Sequence, residues 1–426
     1  MKPIKMVFGK DRLTSFAGLK PFMQYLDKTL NLFTLFDNKV SFTKKKRNFS
    51  KTDYLKVIIV LFAVGYEKLA HIGLLFADHF VLKLLGLIKL PNPENIVRCF
   101  LNKFTFKHAY ELSRVQQVLV SQRHQKLFRL RSTIIDCDST PKDTFGHQEG
   151  TGRHYQNRNG YHPLMAFLFE TKEFLHGFLR PGDTYTGNGI VRFILECLAR
   201  LPKTIRTIIF RADSGFFVEA LMTLLERLGH FYVIAAKLYP TLLARIIQIP
   251  NAAYQPFEDG WEITTIHFAL DKWSTARKFI VLRRLKKRSR QTSLLGDNNQ
   301  YEYHAYCTNR HDLLPKELVE FYRARATSEN YIKEAKSDTR FKYFTVQKFW
   351  GNEALFQIAM LFYNASIWFR AEFISKDRAK ERLYTFRLQF ITIPGRLISS
   401  GRRWYLRLNE AYRHRELFEK IELALS

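Results

Sequence analysis

The sequence predicts an α/β protein that begins with a helical region. Up to about residue 130, apolar residues recur at the spacing of helices. After Arg131 short β-branched runs alternate with helical stretches, and two of those runs, Thr133–Ile135 and Ile205–Phe210, lie just before acidic residues. This alternation is typical of an α/β domain with buried central strands.

The charge of the chain predicts a polyanionic partner. Its 426 residues include 68 Lys and Arg but only 39 Asp and Glu, a formal net charge of +29. This excess excludes an acidic disordered chain and a metabolic enzyme of balanced charge. Nucleic acid is the first expectation and an anionic membrane the second. A hydrophobic content of 46% suffices for large cores, and the length predicts two or three domains.

The cysteines and the lengths of the apolar runs predict the cellular compartment of the protein. The four cysteines are far apart and form no Cys-x-x-Cys pair. Their spacing argues against a structural zinc site and a disulfide framework, and favours a reducing compartment. The N-terminus lacks an apolar core of signal-peptide length, and no run approaches the roughly 20 apolar residues that span a bilayer. We therefore expect a soluble cytoplasmic protein.

The region 1–130 is predicted to be mostly helical and to bind DNA. Helical spacing covers Tyr54–Gly65, Ile72–Leu87 and Ile96–Phe104. A proline-containing turn at Leu90–Asn95 separates the last two of these stretches. Helix, turn and helix in succession are compatible with a helix-turn-helix DNA reader, and a plain helical bundle is the alternative.

The region 131–230 is predicted to form the first part of the core. A strand is followed by an antiparallel hairpin, a helix, a second buried strand and a second helix. With an acid at the end of two core strands, this order matches an α/β domain of the ribonuclease-H type. The elements are the strand Thr133–Ile135, the hairpin Tyr161–Phe169 and Phe174–Arg180, the helix Gly189–Leu201, the strand Ile205–Phe210 and the helix Phe216–Leu228.

Three further regions follow. Region 231–310 is β-rich, 311–375 contains two long helices and the second part of the core, and 376–426 is predicted as a basic helical tail with Arg402, Arg403 and Arg407. The strands of the β-rich region are Phe231–Leu238, Trp261–Phe268, Lys278–Leu285 and Tyr301–Cys307, and the two long helices are Leu314–Thr339 and Asn352–Ala371.

One stripe of the helix that begins at Leu314 carries four polar side chains. Tyr322, Arg325, Glu329 and Lys336 lie at offsets 0, 3, 7 and 14. At about 100° per residue these positions fall within an arc of roughly 60°. The alternative is a solvated charged stripe with an Arg325–Glu329 pair of a few tenths of a kcal/mol.

Two acids at strand ends complete a possible metal site. Asp138 and Asp213 end the two β-branched runs, where α/β folds place their sites. Turn initiation by Asp138 and helix capping by Asp213 are the alternatives. With Glu329 they offer three hard oxygen ligands, which suit a pair of Mg²⁺ or Mn²⁺ ions at a phosphodiester. Asp136 is the rival of Asp138, since both lie on one face of the strand, and we favour Asp138 because it is nearer the strand end.

At these residues the sequence resembles a known family. Tyr322-x-x-Arg325-x-x-x-Glu329, six residues and then Lys336 is similar to the Y-R-E-K signature of the DDE transposases of bacterial insertion sequences. Within them it is similar to the IS-four superfamily, and especially to its IS-thirteen-eighty-like group. The resemblance runs from about Asn95 to Ala371. Shorter pieces match in the family's order, namely Ile135–Thr140, Gly146–Gly150, Tyr161–Leu164, Leu179–Gly182 and Arg211–Phe216.

The resemblance implies roles for these residues and a reaction. The catalytic acidic triad that binds the metal matches Asp138, Asp213 and Glu329, and the signature residues that hold DNA near the cleaved phosphate match Tyr322, Arg325 and Lys336. The β-rich region matches an inserted β domain of the superfamily. The implied reaction is cut-and-paste transposition, in which water cuts the strand at an element end and the freed 3′-OH attacks target DNA. The implied partners are terminal inverted repeats, target DNA and a second copy in a synaptic dimer, in a bacterial cytoplasm at the nucleoid.

One position departs from the family pattern. Some relatives carry a Trp directly after the signature Arg, and here that position is Ala326. Base flipping and hairpin formation at the DNA ends by that residue are therefore not expected. Trp261 or Trp273 of the β-rich region is a candidate replacement.

Two basic tracts are predicted to contact the DNA backbone without reading its sequence, and solvated surface is the alternative. The second tract is expected at a hairpin tip or in a loop. The residues are Lys44, Lys45, Lys46 and Arg47 in the first tract and Arg283, Arg284, Lys286 and Lys287 in the second. Two other functions stay open: a catalytically silent sequence-specific DNA-binding protein, and a DNA endonuclease without strand transfer.

Overall fold

The computed structural model describes most of the chain. It covers residues 4–42, 48–271, 273–286, 301–343, 345–375, 377 and 381–426, except for the side chains of 328, 329 and 342. The basic tract Lys44–Arg47 and Lys287 lie outside the described residues.

The first 130 residues contain six helices within the described ranges. Helix α3 begins at a capping box in which Ser50 and Asp53 bond each other's backbone, and it ends at Gly65, whose φ of 80° suits glycine. Most of its apolar residues are buried. The helices are α1 (Leu19–Gln24), α2 (Leu32–Lys39), α3 (Lys51–Val64), α4 (His79–Leu85), α5 (Pro93–Cys99) and α6 (Phe106–Leu127).

Within the described residues, one mixed sheet of nine strands organises the rest of the protein. Its strand order is β10-β11-β12-β13-β9-β8-β2-β6-β7, with β2, β8 and β9 parallel and the other neighbours antiparallel. The strands are β2 (Ser132–Asp138), β6 (Leu164–Leu168), β7 (Phe174–Phe178), β8 (Thr207–Ala212), β9 (Phe231–Ala235), β10 (Gln255–Pro256), β11 (Glu262–Phe268), β12 (Arg277–Leu285) and β13 (Tyr301–Thr308). Because parallel strands end at the same edge of a sheet, β2 and β8 deliver the residues after them to one place.

The strands of the β-rich region join the same sheet as those of region 131–230. The first of them, β9, pairs with β8 in the centre of the sheet, and β13 pairs with β9. The strands of region 231–310 therefore extend the core sheet. An open edge at β9 would leave backbone N–H and C=O groups unpaired, and the antiparallel addition of β13 satisfies them.

Helices cover both faces of the sheet, and short elements complete the fold. The helices after β7 are α7 (Ile190–Arg200), α8 (Glu219–Arg227), α9 (Pro240–Ile247), α10 (Pro315–Arg323), α11 (Arg325–Ser337), α12 (Phe349–Phe373), α13 (Leu383–Phe386) and α14 (Arg415–Leu425). A small sheet next to β2 consists of β3 (Lys142–Asp143), β4 (Gly152–Arg153) and β5 (Asn159–Tyr161).

Helix α12 covers the β7 edge of the sheet, where its buried polar side chains bond the strand's backbone. Asn364 accepts from the N–H of Phe174 in β7 and donates to its carbonyl, both at 2.8 Å. Gln357 donates to a second β7 carbonyl, and Glu353 accepts from the N–H of Leu179 just after the strand. These bonds occupy the edge of β7 and so prevent it from pairing with another chain.

The C-terminal tail corrects the expectation of a wholly helical region. A β-hairpin of β14 (Gly395–Ser400) and β15 (Arg403–Leu408) lies between α13 and α14, and β14 pairs with β1 (Leu13–Thr14). The two-residue turn is Gly401-Arg402, both with positive φ, which is the geometry that matches the twist of a tight hairpin. The β-branched and aromatic residues around this turn favour strands.

No single helix within the described ranges is long and apolar enough to cross a membrane. The bent pair α3 and Leu69–Leu75, at 85° to each other, passes that test by length and composition.

Candidate active site

The ends of two neighbouring parallel strands bring Asp138 and Asp213 to one cavity. Asp138 is the last residue of β2, and Asp213 directly follows β8. Asp136 and Arg211 are register partners, so the two acids stand two residues further along each strand. Both line a cavity of about 500 Å³, together with Arg325 and Lys336 from α11. The two strand-end acids and two of the cations predicted from the sequence thus share one site.

Asp138 is held by cations and a hydroxyl. Lys336 Nζ lies 2.9 Å from its Oδ2, and the Thr140 hydroxyl donates to the same oxygen. Burial by itself raises the pKa of Asp138, but Lys336, the Thr140 hydrogen bond and Arg325 outweigh it and hold that pKa below its ordinary value. The carboxylate is therefore ionised at neutral pH, which is the form that binds a cation.

The two oxygens of Asp213 have different partners. Oδ1 accepts from the N–H of Gly215 at 2.8 Å and caps the short 3₁₀ turn Ser214–Phe216. Oδ2 lies 3.7 Å from Nη2 of Arg325 and faces the cavity side of the turn. Asp213 therefore both caps this turn and lines the cavity. The hydrogen bond to Gly215 fixes the direction of its carboxylate.

The helix predicted as Leu314–Thr339 is broken, which corrects that expectation. It consists of α10, ending at Arg323, and α11, beginning at Arg325. The carbonyl of Phe321 accepts from Nη1 of the buried Arg211 at 2.6 Å, so a side chain competes for a carbonyl in the last turn of α10.

Tyr322 lies on the other side of this break. It belongs to α10, and its ring centroid lies 4.4 Å from that of Tyr306 in β13. It is not among the residues that line the cavity. Only Arg325 and Lys336 of the four-residue stripe are placed at the cavity by described side chains.

Glu329 lies in α11, one turn after Arg325. Its side chain is outside the described part of the structure, so the meeting of all three acids stays a prediction. Among the described side chains, no group of three His, Cys, Asp or Glu is close enough to hold a metal ion. Asp138 and Asp213 supply carboxylate oxygens, the donors that Mg²⁺ prefers, so the residues present fit a hard divalent cation.

Asp136 has a different environment from Asp138. Its carboxylate receives two hydrogen bonds from Arg211, at 2.7 and 2.8 Å, and one from the Tyr331 hydroxyl at 3.0 Å. Both Asp136 and Arg211 are completely buried. The pair joins β2, β8 and α11 beneath the cavity, whose lining includes Asp138 but not Asp136.

Three residues near Asp138 were not recognised as site residues from the sequence. The buried Arg180 donates to the Ser139 hydroxyl at 2.8 Å, and His162 bonds the same hydroxyl at 2.8 Å. Lys142 is only 4% exposed but lines the cavity, and burial lowers its pKa to about 7. His162 is itself buried. The matching pieces around His162 and Arg180 were the signal that could have identified two of the three.

The second basic tract is largely tied to the fold. Arg283 is buried in β12, where it bonds Glu262 at 2.6 Å and lies over the Tyr254 ring. This placement corrects its prediction as a DNA contact, because its charge does not reach the surface. Arg284 is partly exposed and bonds a carboxylate of β13, whereas Lys286 is exposed at the end of the strand.

Both tryptophans considered as base-flipping residues are packed. Trp273 lies against Phe217 and Phe279, and Trp261 lies against His304. These contacts hold both rings against the fold.

Comparison with known proteins identifies the family. Residues 1–426 match the family profile described as transposase DDE domain group 1. Among solved structures, the chain is similar to that of a piggyBac transposase synaptic complex with hairpin DNA, with 11% sequence identity, coverage of 90% of this chain and 82% of that chain, and a TM-score of 0.47. A search of the curated proteins gave no match. With its two strand-end acids at one cavity and a profile match over its whole length, this chain belongs to the DDE transposases.

Proposed function

We propose that the protein carries out cut-and-paste transposition of an insertion sequence of the IS-four type. The observation that supports this best is the convergence of Asp138, Asp213, Arg325 and Lys336 on one cavity. Phosphoryl transfer needs positioning and neutralised charge rather than a covalent nucleophile from the protein. Two acids and two cations at one cavity supply both.

The sheet supports a ribonuclease-H-like core. Five strands in the order β7-β6-β2-β8-β9 place an antiparallel meander beside two parallel strands that follow helices. We propose region 1–130 as the DNA-binding region, 131–230 and 311–375 as the two parts of the core, 231–310 as the part inserted between them, and 376–426 as the basic tail.

We assign the catalytic acids as Asp138, Asp213 and Glu329. In α11, positions 325, 329 and 336 fall within an arc of about 40° at 100° per residue, so residue 329 shares the face of the two cations. Mg²⁺, or Mn²⁺ in its place, would be held by these acids, and when bound it neutralises charge on the attacked phosphate.

The cations of α11 then have a separate task. Arg325 offers a planar fork that fits two phosphate oxygens, and Lys336 offers a mobile point charge. Both side chains are largely buried, at 8% and 15% exposure, so their charges act in a medium where they are weakly screened. They position the scissile phosphate, and Tyr322 at the end of α10 is proposed to contact the flanking DNA.

The test is Asp213→Asn in the full-length protein. The variant keeps the cap on Gly215, since an amide oxygen accepts as well, but it loses the charge toward the metal. We expect binding to the terminal inverted repeats within about threefold of wild type and no Mg²⁺-dependent cleavage of them. Asp271→Asn, at an exposed position outside the cavity, is the matched control and should cleave normally.

Four outcomes test the assignment and separate the alternatives. Cleavage by Asp213→Asn at the wild-type rate would show that the acids are assigned wrongly. A wild-type protein that binds the repeats without nicking them in Mg²⁺ or Mn²⁺ is a silent DNA-binding protein. A protein that nicks but fails to join pre-cleaved ends to a target plasmid is an endonuclease. If the complex that joins the ends to the plasmid has the size of two protein copies with two DNA ends, the result supports the proposed synaptic dimer.

A further inference from the structure

The hairpin β14–β15 presents an outward face with unusual charge. Residues 395–408 include four arginines and no acid. The register pairs Arg396 with Arg407, Ile398 with Tyr405 and Ser400 with Arg403, and because side chains alternate these pairs share one face. Arg396 and Arg407 stand directly opposite each other, and Asp11 neutralises only Arg396 of the two.

The opposite face of the hairpin anchors it to the protein. Leu397 is buried in the core of the N-terminal helices, and Leu406 packs against that core. Trp404 lies under Arg12 and Lys83, with the cations 5.1 and 4.9 Å from its ring centroid. The outward face is therefore held in a fixed direction.

The charges of this face are available to a partner. Arg396 pairs with Asp11, but Arg402, Arg403 and Arg407 have no carboxylate partner among the described residues, and all three are exposed. Tyr405 beside them is 51% exposed. Arginine on an edge strand also discourages pairing with other chains, but that role does not require the arginine at the tip or the pair of arginines across the ribbon.

We propose that this face binds the phosphate backbone of duplex DNA outside the catalytic cavity. A two-stranded ribbon fits the major groove of B-DNA, whose width is about 12 Å, and arginine pairs with phosphate. Lys83, which contacts Trp404 on the anchoring face, belongs to α4 of the predicted DNA-binding region, so the hairpin lies beside that region. The inference rests on the proposed function for the identity of the polyanion.

The test measures the salt dependence of DNA binding by the full-length protein. A 30-base-pair duplex of arbitrary sequence is titrated by fluorescence anisotropy at several KCl concentrations. The variant replaces Arg402, Arg403 and Arg407 with Gln. Each lost phosphate contact lowers the slope of log affinity against log salt by about 0.9, so we expect a decrease of up to about 2.7.

A charge-matched control removes three exposed cations that lie at the end of the nine-stranded sheet remote from Asp138 and Asp213. Lys203, Arg206 and Arg227 lie just before β8 and β9, away from the strand ends that carry the acids. Their replacement with Gln should leave the slope unchanged. A hairpin variant whose slope falls by less than 0.9, or no further than that of the control, overturns the proposal. So does a hairpin variant that loses binding to anionic phospholipid vesicles while it keeps binding DNA.

A single substitution distinguishes loss of DNA binding from misfolding of the variant. Arg407→Glu places a carboxylate opposite Arg396, so its melting temperature should equal or exceed that of wild type while its affinity for the duplex falls at least tenfold. Wild-type affinity in this variant would refute the proposal. If the wild type binds DNA through the hairpin but never cleaves it, the proposed function fails and this inference stands. If it cleaves and the hairpin variants bind normally, this inference fails alone.

Discussion

Changing each of the two acids of β2 to Asn is expected to have different effects. Asp136→Asn should mainly lower stability, and Asp138→Asn should mainly abolish cleavage. Asp136 and Arg211 are both 0% exposed and share two hydrogen bonds of 2.7 and 2.8 Å. Asp136→Asn keeps the shape but leaves a buried guanidinium without its counter-charge. Breaking a buried pair in this way costs about 3–5 kcal/mol of the free energy of unfolding.

Asp138→Asn is the matched control because it is the same change two residues along the same strand. Asp138 and Lys336 are 14% and 15% exposed, so the released lysine can reach water. We expect a loss of at most about 1–2 kcal/mol in stability. Cleavage, in contrast, should be abolished by Asp138→Asn and retained by Asp136→Asn at a temperature where that variant is folded.

The assays are urea denaturation followed by tryptophan fluorescence, and Mg²⁺-dependent cleavage of an element-end duplex. The reasoning requires the larger loss of stability in Asp136→Asn and the larger loss of cleavage in Asp138→Asn. If Asp136→Asn unfolds at the wild-type urea concentration, the buried pair does not hold the core together. If Asp138→Asn cleaves, the first metal ligand is assigned wrongly.

Two more variants test groups around the sheet. Lys336→Met should lower single-turnover cleavage at saturating DNA by about 10²-fold, because one preorganised charge is lost, whereas the exposed Lys420→Met should cleave normally. Burial raises the pKa of Glu353 to about 7, so the folded protein holds a proton that the unfolded chain releases. Stability should therefore fall by up to about 3 kcal/mol as pH rises from about 4.5 to 7, and Glu353→Gln should flatten this dependence in denaturation measured across that range.

The sequence was most informative where one local pattern fixes one element. The β-branched runs before Asp138 and Asp213 predicted two buried strands, and both strands are present, side by side and parallel. Since parallel strands end at the same edge of a sheet, this pairing brings the two acids close together. The hairpin around Glu170–Glu173 likewise appears as β6 and β7.

The misses share a physical cause, which is competition from residues distant in the chain. Helical periodicity continues through Ala324, but Arg211 from β8 bonds the Phe321 carbonyl, and the helix is divided there. Arg283 belongs to a basic run, but Glu262 on the neighbouring strand draws it into the sheet. Neither partner is close in sequence, so no local pattern contained this information.

Arg211 also connects the elements that carry the site. One guanidinium bonds Asp136 of β2 through two nitrogens and the last turn of α10 through the third. Tyr331 of α11 bonds the same Asp136. The strand that carries Asp138 and the helix that carries Arg325 are thus joined by one buried network directly beneath the cavity. Under the proposed function Asp138 and Asp213 would hold the metal ion, which would supply charge neutralisation at the phosphate, and Arg325 and Lys336 stand beside them to contact that phosphate. Because the Asp136–Arg211 pair is completely buried, this network fixes the backbone on which the acids and the cations of the site stand.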